Sequence, residues 1–409
     1  MDTQKFLPYL IVLIFVALAL EVYTLMTLKK TILKSNWNRI YYRIPIFFSI
    51  VIAISGLIIV YFRTNNQDLG QIGDAIFFLV KLWYIPKFLL LPFMLSKDGI
   101  LLLINLVKRI VGDKSKSNEQ IDLKKRRLLS MAGIGFVTIP YAAVADGLLR
   151  TTTNYKIEKV EIPLYRLPRE LDGLKIVQIS DVHAGNFVSL EDFQEVTDKI
   201  NALNPDIIAI TGDFVNFHPM EIDLIEEGFS GMKATYGVYA CLGNHDHYMD
   251  PDDHLELKRK IVSYGIDLLV DNNRVIQRNG ANLNIAGIDN IGGRVVKGDF
   301  SRALKGIDVN APTIMLAHDP ITWDSSVVNI LPIDLMLSGH THGGQIGLNI
   351  FGDIYTPAMF FNKRFSGLYN QGGQYLYVNR GIATTSLPVR ISIYPEITEI
   401  TLRTNPGLI

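Results

Sequence analysis

From Ile44 to Phe62 the chain runs for 19 residues without a charged side chain, close to the roughly 20 apolar residues that a bilayer core requires. A stretch of this kind reads as a membrane span rather than a core helix, and the run from Leu7 to Leu20 is a second. Four spans are expected, at about 7–28, 44–62, 73–95 and 128–148. They make residues 1–150 an all-α transmembrane region and account for a hydrophobic share of 48% in a chain of 409 residues. Lys81, Pro86, Lys87 and Pro92 interrupt the third span, and the apolar pattern continues from Gly99 to Val107. That extension, within 97–111, is either a fifth, short span or a helix leaving the membrane on the basic side. Lys108 and Arg109 come directly after it with no charged outer loop between the segments, which favours the second reading.

Orientation is read from Lys and Arg in the short loops. Residues 29–43 carry Lys29, Lys30, Lys34, Arg39 and Arg43, and 108–127 end in the cluster Lys124, Lys125, Arg126 and Arg127, whereas 63–72 carry only Arg63. Both basic loops belong inside. Four spans then put both termini outside, with residues 151–409 on the extracytoplasmic face of the cell membrane. The cluster at 124–127, with an apolar stretch after it ending in Ala143-Val144-Ala145, also looks like a twin-arginine export signal. Its internal position favours an anchor, and either reading exports the C-terminal domain. The formal net charge of zero gives no bulk pull toward nucleic acid. The lone Cys241 allows no internal disulfide.

From Tyr155 onward, short apolar runs alternate with amphipathic segments, which argues for strands interleaved with helices, an α/β arrangement. Strands are expected at 174–180, 206–211, 237–242, 313–317, 334–338 and 374–378. Residues 189–203 are expected as a helix, because Phe193, Val196, Ile200 and Leu203 repeat at three and four and Ser189 is a good N-cap. The strand ends are more telling than the strands. Asp181-Val-His183 stands after the first, Gly212-Asp213 after the second, Gly243-Asn244-His245-Asp246 after the third, His318 after the fourth and Gly339-His340-Thr-His342 after the fifth. Any one of these histidines could be an ordinary turn residue. Recurrence after five strands points instead to a site at the carboxyl edge of a sheet, where side chains converge. Asp, His and Asn are hard and borderline donors without thiolate, a set that suits Mn, Fe or Zn. Seven donors are too many for one ion, and a pair roughly 3.5–4 Å apart can clamp an in-line phosphoryl displacement.

The ordered series Asp181-x-His183, Gly212-Asp213, Gly243-Asn244-His245-Asp246, His318 and Gly339-His340-x-His342 resembles the full motif set of the calcineurin-like metallophosphoesterases, over about residues 160–400. With spans before the domain, the chain is similar to a membrane-anchored bacterial branch of that family. The resemblance implies a two-sheet sandwich flanked by helices. It also implies two divalent metal ions, the first held by Asp181, His183 and His342, the second by Asn244, His318 and His340, with Asp213 bridging both. His245 would protonate the leaving oxygen or neutralise the transferring group, and a metal-bridging hydroxide would be the nucleophile. Substrate contacts are expected from His247 and from Arg380, just past the strand ending at Val378. Asp246 would either orient His245 or serve the turn, and Asp319 and Gln345, which flank ligands, could serve either purpose. His218 and His254 read as surface residues.

The expected function is membrane-bound hydrolysis of a phosphomonoester, phosphodiester or pyrophosphate, with lipid-linked substrates among the candidates. The alternative is a catalytically weak binding or sensor protein on the same fold. A transporter has little support, because the spans carry few ionisable residues beyond Glu21, Asp74 and Lys81. The segment Asn349–Phe365 gathers aromatics with Lys363 and Arg364. It is either a long connection packed onto the domain core or a lip that dips into the headgroup boundary.

Overall fold

The computed structural model describes residues 15–27, 40–64, 70–111, 138–187, 190–350, 353–385 and 387–405. It divides into two compact units, Met1–Leu148 and Leu149–Ile409.

The first unit is helical: α1 (Phe15–Thr27), α2 (Ile40–Thr64), α3 (Gly70–Val111) and α4 (138–149). Parts of the first and fourth expected spans, 7–14 and 128–137, lie outside the described residues. Among the described residues one stretch, Ala75–Val107, is long and apolar enough to cross a membrane, and Phe15–Thr27 and Ile46–Ile58 are shorter apolar helices. The helix that holds the expected third span, 73–95, runs beyond it at both ends. Pro86 and Pro92 sit inside α3 without ending it, and a membrane helix tolerates such residues where neighbouring groups satisfy the freed carbonyls. Because the helix runs unbroken through 97–111, there is no turn from which a separate fifth span could start. At about 1.5 Å per residue α3 is roughly twice as long as a hydrocarbon core is thick.

Among the described residues of this unit, Glu21 and Lys87 form a buried ion pair. Lys87 Nζ lies 2.7 and 2.9 Å from the two carboxylate oxygens of Glu21, Ser49 donates to the same carboxylate, and all three side chains are buried. Three helices thus share one ion pair. A buried pair of this type fixes register more than it adds stability.

The second unit contains two six-stranded sheets. In the first the order is β1 (Lys156–Leu164), β16 (Glu396–Thr404), β2 (Lys175–Ile179), β3 (Ile207–Thr211), β4 (Val238–Cys241), β5 (Ile266–Leu268). In the second it is β14 (Gly367–Gln371), β15 (Gln374–Val378), β11 (Leu335–Ser338), β10 (Thr313–Leu316), β7 (Ala281–Gly287), β6 (Asn272–Arg278). Both are mixed: β2, β3 and β4 run parallel, as do β7, β10, β11 and β15, while β16 opposes β2 and the edge strands β6 and β14 oppose their neighbours. Two short antiparallel pairs stand apart, β8 (Ile291–Gly292) with β9 (Val295–Val296), and β12 (Leu348–Ile350) with β13 (Asp353–Tyr355).

Alternation along the strands explains the layers. Side chains of successive strand residues point to opposite faces. Ile207 and Ala209 face the second sheet, where they meet Leu283, Ile314, Leu335 and Tyr377, whereas Ile208 and Ile210 face outward. On that outer side they pack with α5 (Leu190–Ala202), α6 (Glu226–Ser230) and α7 (Pro251–Ser263) through Phe193, Val196, Ile200, Phe229, Leu257 and Ile261. The far side of the second sheet is covered through Trp323 and Ala303 of the short α8 (Phe300–Ala303). Strands buried on both faces read as continuous apolar runs, which is why they are visible in the sequence. Helix α5 falls where the periodicity places it, although Ser189, its expected cap, lies outside the described residues.

Candidate metal centre

The carboxyl ends of β2, β3 and β4 in one sheet and of β10 and β11 in the other bring the polar series together. Asp181, His183 and His342 form one group and Asp213, His318 and His340 another, with the donor atoms of each group within 4.8 Å of one another. A third group, His183, Asp213 and His245, joins them. Across the first, His342 Nε2 is 3.1 Å from Asp181 Oδ1 and 3.3 Å from His183 Nε2. Across the second, Asp213 Oδ2 is 3.1 Å from His318 Nε2, which faces His340 Nδ1 at 3.3 Å.

The backbone reaches this arrangement by leaving the ordinary regions of conformational space. Asp181 (φ 52°), His183 (42°), Asp213 (55°), His340 (72°) and His342 (51°) are all left-handed, a region uncommon for residues other than glycine but least costly for Asn, Asp and His. Hydrogen bonds hold them there. Asp181 N donates to the Gly212 carbonyl at 3.0 Å, His183 N to the Asp213 carbonyl at 2.9 Å, and His340 N to the Asp181 carboxylate at 3.0 and 3.1 Å. Two glycines are needed for contact rather than for φ: a Cβ on Gly243 would lie 2.1 Å from Asp213 Oδ1, and one on Gly339 would lie 1.8 Å from Ser180 Oγ.

Carbonyl partners set the imidazole tautomers. A carbonyl only accepts, so the ring nitrogen against it carries the hydrogen and the other nitrogen keeps its lone pair. His318 Nδ1 donates to Thr211 O at 2.6 Å, leaving its Nε2 lone pair free to bind an ion, whereas His342 Nδ1 lies between Ala383 O at 3.2 Å and the Arg390 guanidinium at 3.4 Å, with its Nε2 turned to Asp181. Asn244 obeys the same logic: its Nδ2 donates to Tyr248 Oη at 2.9 Å, and its Oδ1 is buried without a hydrogen-bond partner. An orphaned carbonyl oxygen, converging imidazole lone pairs and two carboxylates fit hard or borderline divalent cations.

Electrostatics agree. Burial alone would raise the Asp181 carboxyl, but the imidazoles of His342, His318 and His183 hold it well below the usual range. At Asp213 the same opposition is decided by His318. Burial opposes a charge on His318, yet Asp213 and Asp181 push it up to about 10. His183, dominated by burial, falls to about 3. The centre keeps its carboxylates ionised and draws in positive charge, which a proton on His318 supplies when no cation does.

Asp246 has a role that spacing does not reveal. Its buried carboxylate accepts from four backbone N–H groups: Gly243 at 2.8 Å, Asp213 at 3.0 Å, Phe214 at 2.8 Å and Val215 at 3.3 Å. It therefore clamps the β3 and β4 loops together. Burial and the Asp213 carboxylate push its pKa up to about 7 against those donors. It does not orient His245, whose Nδ1 donates to Asn216 O at 3.0 Å and whose backbone N donates to Asp213 Oδ1 at 2.8 Å.

The remaining expected contacts divide between structural and site-facing places. Arg380 has its guanidinium bound by Glu396 and, at 2.6 Å, by Glu158, so two carboxylates occupy the group expected to meet phosphate. His247 Nε2 is 2.6 Å from Asp289 Oδ1, and its ring stacks on His254 at 4.4 Å. His254 is half-buried rather than a surface residue, with Nδ1 donating to Asp246 O at 2.8 Å. His218 caps the turn Pro219–Ile225. Asp319 Oδ2 stands 3.5 Å from His340 Nε2, whereas Gln345 grips Thr385 through both its amide atoms. Arg390 is a residue that the sequence reading misses altogether. It is fully buried and donates to the carbonyls of Arg380 at 2.8 Å and Gly381 at 3.1 Å and to that of Ala383, backing the loop behind His342. Nothing in its local sequence marks it.

Comparison with known proteins gives matches in both units. Residues 174–344 match the family described as calcineurin-like phosphoesterase, and residues 6–152 match that described as probable calcineurin-like phosphoesterase, transmembrane domain. An uncharacterized metallophosphoesterase of Bacillus subtilis is 32% identical over 272 residues, covering 64% of this chain and 89% of its own. One of Campylobacter jejuni is 27% identical over 383 residues, 92% of this chain and 93% of its own. A transmembrane protein with metallophosphoesterase domain from Danio rerio is 33% identical over 267 residues, and the match spans 63% of this chain but 59% of the fish protein.

Proposed function

The chain belongs to the calcineurin-like metallophosphoesterase family, and we propose that it is a membrane-bound hydrolase of phosphoric esters that holds two divalent ions sharing Asp213. The observation that carries this reading is the overlap of the ligand groups at Asp213, which stands with His183 on one side and with His318 and His340 on the other. Asp181, His183 and His342 would hold one ion, and Asn244, His318 and His340 the other, with Mn, Fe or Zn suited to these donors. Bound ions would neutralise the transferring phosphoryl group and bring the pKa of water toward neutrality.

The chain's own residues supply orientation and a proton. Asp213 is fixed at both ends, its backbone N–H by Asp246 and its Oδ1 by the His245 N–H. His245 stacks edge-on against His183 with centroids 4.7 Å apart. With Nδ1–H committed to Asn216 O, its Nε2 is the atom that would deliver a proton to the leaving oxygen from the imidazolium form. The membrane unit holds the enzyme at a bilayer, which supports a lipid-linked phosphoester as substrate, and the positive loops support an extracytoplasmic catalytic unit.

The test is metal content and turnover of the purified full chain. Asp213→Ala should abolish hydrolysis of generic phosphoesters and lower metal at both sites, whereas His318→Ala should empty mainly the second. Full metal and near-normal turnover in Asp213→Ala would overturn the shared-ligand reading. No metal and no hydrolysis in the unaltered protein would favour the binding or sensor alternative.

A further inference from the structure

Between Leu348 and Lys363 most of the described residues face solvent, with Thr356 buried at the root. The β12–β13 hairpin and the turn Pro357–Phe360 beyond it present Leu348, Met359, Phe360 and Phe361 to solvent, with Phe360 82% and Phe361 85% exposed. A phenylalanine exposes on the order of 150–250 Å² when left in water, so two adjacent ones at a tip make an apolar patch of the kind that is often functional. The segment is held in this pose. Thr356 Oγ1 donates to Ile346 O at 3.0 Å at its root, and Thr341 Oγ1, between the two ligand histidines, donates to Phe365 O at 2.6 Å at its far end. Of the two neighbouring cations, Arg364 turns aside to Asp324 at 3.1 Å and to the Tyr369 ring, while Lys363 stays exposed beside the phenylalanines.

A second, independent observation locates this tip. The catalytic unit begins with the turn Thr151–Thr153, where the chain arrives from its helical unit. Thr152 Oγ1 accepts from Arg390 N at 3.0 Å, and the adjacent Ile391 accepts from Gly347 N at 3.1 Å and donates to Gln345 O at 2.9 Å. One loop therefore grips both the start of the catalytic unit and the root of the exposed hairpin, so hydrogen bonds connect the tether to the segment that carries the tip.

We propose that Phe360 and Phe361, with Lys363, form a membrane-docking lip whose partner is the headgroup layer of the bilayer that holds this chain's own helices. Exposed aromatics beside a cation match that layer, where aromatic side chains are favoured and anionic lipids meet lysine. The tether makes docking intramolecular, so a weak patch suffices. The proposal rests on exposure and tethering and is independent of the phosphoesterase reading.

The test is spin-label accessibility in the full chain reconstituted in nanodiscs of phosphatidylcholine and phosphatidylglycerol. The only cysteine, Cys241, is buried, so Phe361→Cys can be labelled selectively, with Leu348→Cys as a second position should the first fold poorly. The label at 361 should be reached by oxygen, shielded from an aqueous nickel chelate, and lie roughly 5–10 Å below the phosphate level. A label at Arg259→Cys, on exposed α7, should be reached by the chelate. Equal chelate access at 361, 348 and 259 would overturn the lip. Shielding of 361 from both reagents would also overturn it, by showing a protein contact in place of lipid. Neither readout requires hydrolysis.

Discussion

Replacing Asp246 with alanine isolates the clamp from the ligands it supports. The substitution strands four buried N–H groups that now share one carboxylate. Each stranded donor costs ~1–3 kcal/mol, so a simple sum starts at roughly 4 kcal/mol for four. The donors belong to one network and their losses do not add independently, and the Val215 contact is long at 3.3 Å. The lower end of the sum, ~4–5 kcal/mol, is therefore the expected loss, a value few single substitutions reach. At roughly 2–4 °C per kcal/mol for a domain of this size, the catalytic unit should melt ~8–20 °C lower. Asp246→Asn, which keeps one accepting oxygen, should lose about half as much.

The assay is a thermal scan of the purified full chain paired with metal analysis, because the clamp acts on the backbone that carries Asp213 and Asn244. Metal content should fall with stability in Asp246→Ala although no ligand has been changed, since groups behind the ligands commonly govern metal affinity by ~10–100-fold. A melting temperature within ~3 °C of the unaltered protein, with full metal, would refute the clamp. Unchanged stability and metal with selective loss on poor leaving groups would instead tie Asp246 to His245.

Three further outcomes are expected from the site and the loops. His245→Ala should keep both metals and lose ~10²–10⁴-fold on alkyl esters but far less on nitrophenyl esters; equal losses would mean an electrostatic or structural role. A reporter active only in the exported compartment, fused after Ile409, should work, and a signal confined to the cytoplasm would mean the spans are miscounted. His318, raised from 6.5 to about 10 in the metal-free protein, stabilises that form fully below about 6.5, and the benefit is lost as pH rises toward 10. A metal must displace its proton, so second-site affinity should climb with pH over that window. Calorimetry in buffers of different ionisation enthalpy should show a proton released on binding, and no release would contradict the charge assigned to His318.

The layers of the catalytic unit are legible because strands buried on both faces must be apolar throughout, and 206–211 and 334–338 could hardly be anything else. Helix α5 announces itself through Phe193, Val196 and Ile200 for the same reason. Tertiary choices are less legible. That α3 continues through Pro86 and Pro92 is a tertiary outcome that the local sequence argues against. That Glu21 meets Lys87 depends on the packing of helices far apart in sequence. Arg380 looks free for phosphate in the sequence because its partners Glu158 and Glu396 are remote along the chain. Arg390 and the Asp246 clamp act on backbone atoms, and backbone partners leave no residue pattern to read.

The ligands are visible for a reason that lies in the backbone rather than in the strands. A parallel strand whose end joins a convergent site must turn at once, and five of the candidate ligand positions do so with φ between 42° and 72°. Only glycine, or a short polar side chain that can bond locally, enters that region at low cost. Asp and His satisfy the turn and the metal together, and the glycines beside them, Gly243 and Gly339, let the two sheets' loops approach to contact. Hydrogen bonds such as His340 N to the Asp181 carboxylate offset the conformational cost. The fold itself therefore holds these candidate donors in place. That is why a pattern of Asp, His, Asn and Gly at strand ends carries so much information: the same residues answer to the geometry of the turn and to the chemistry of the site.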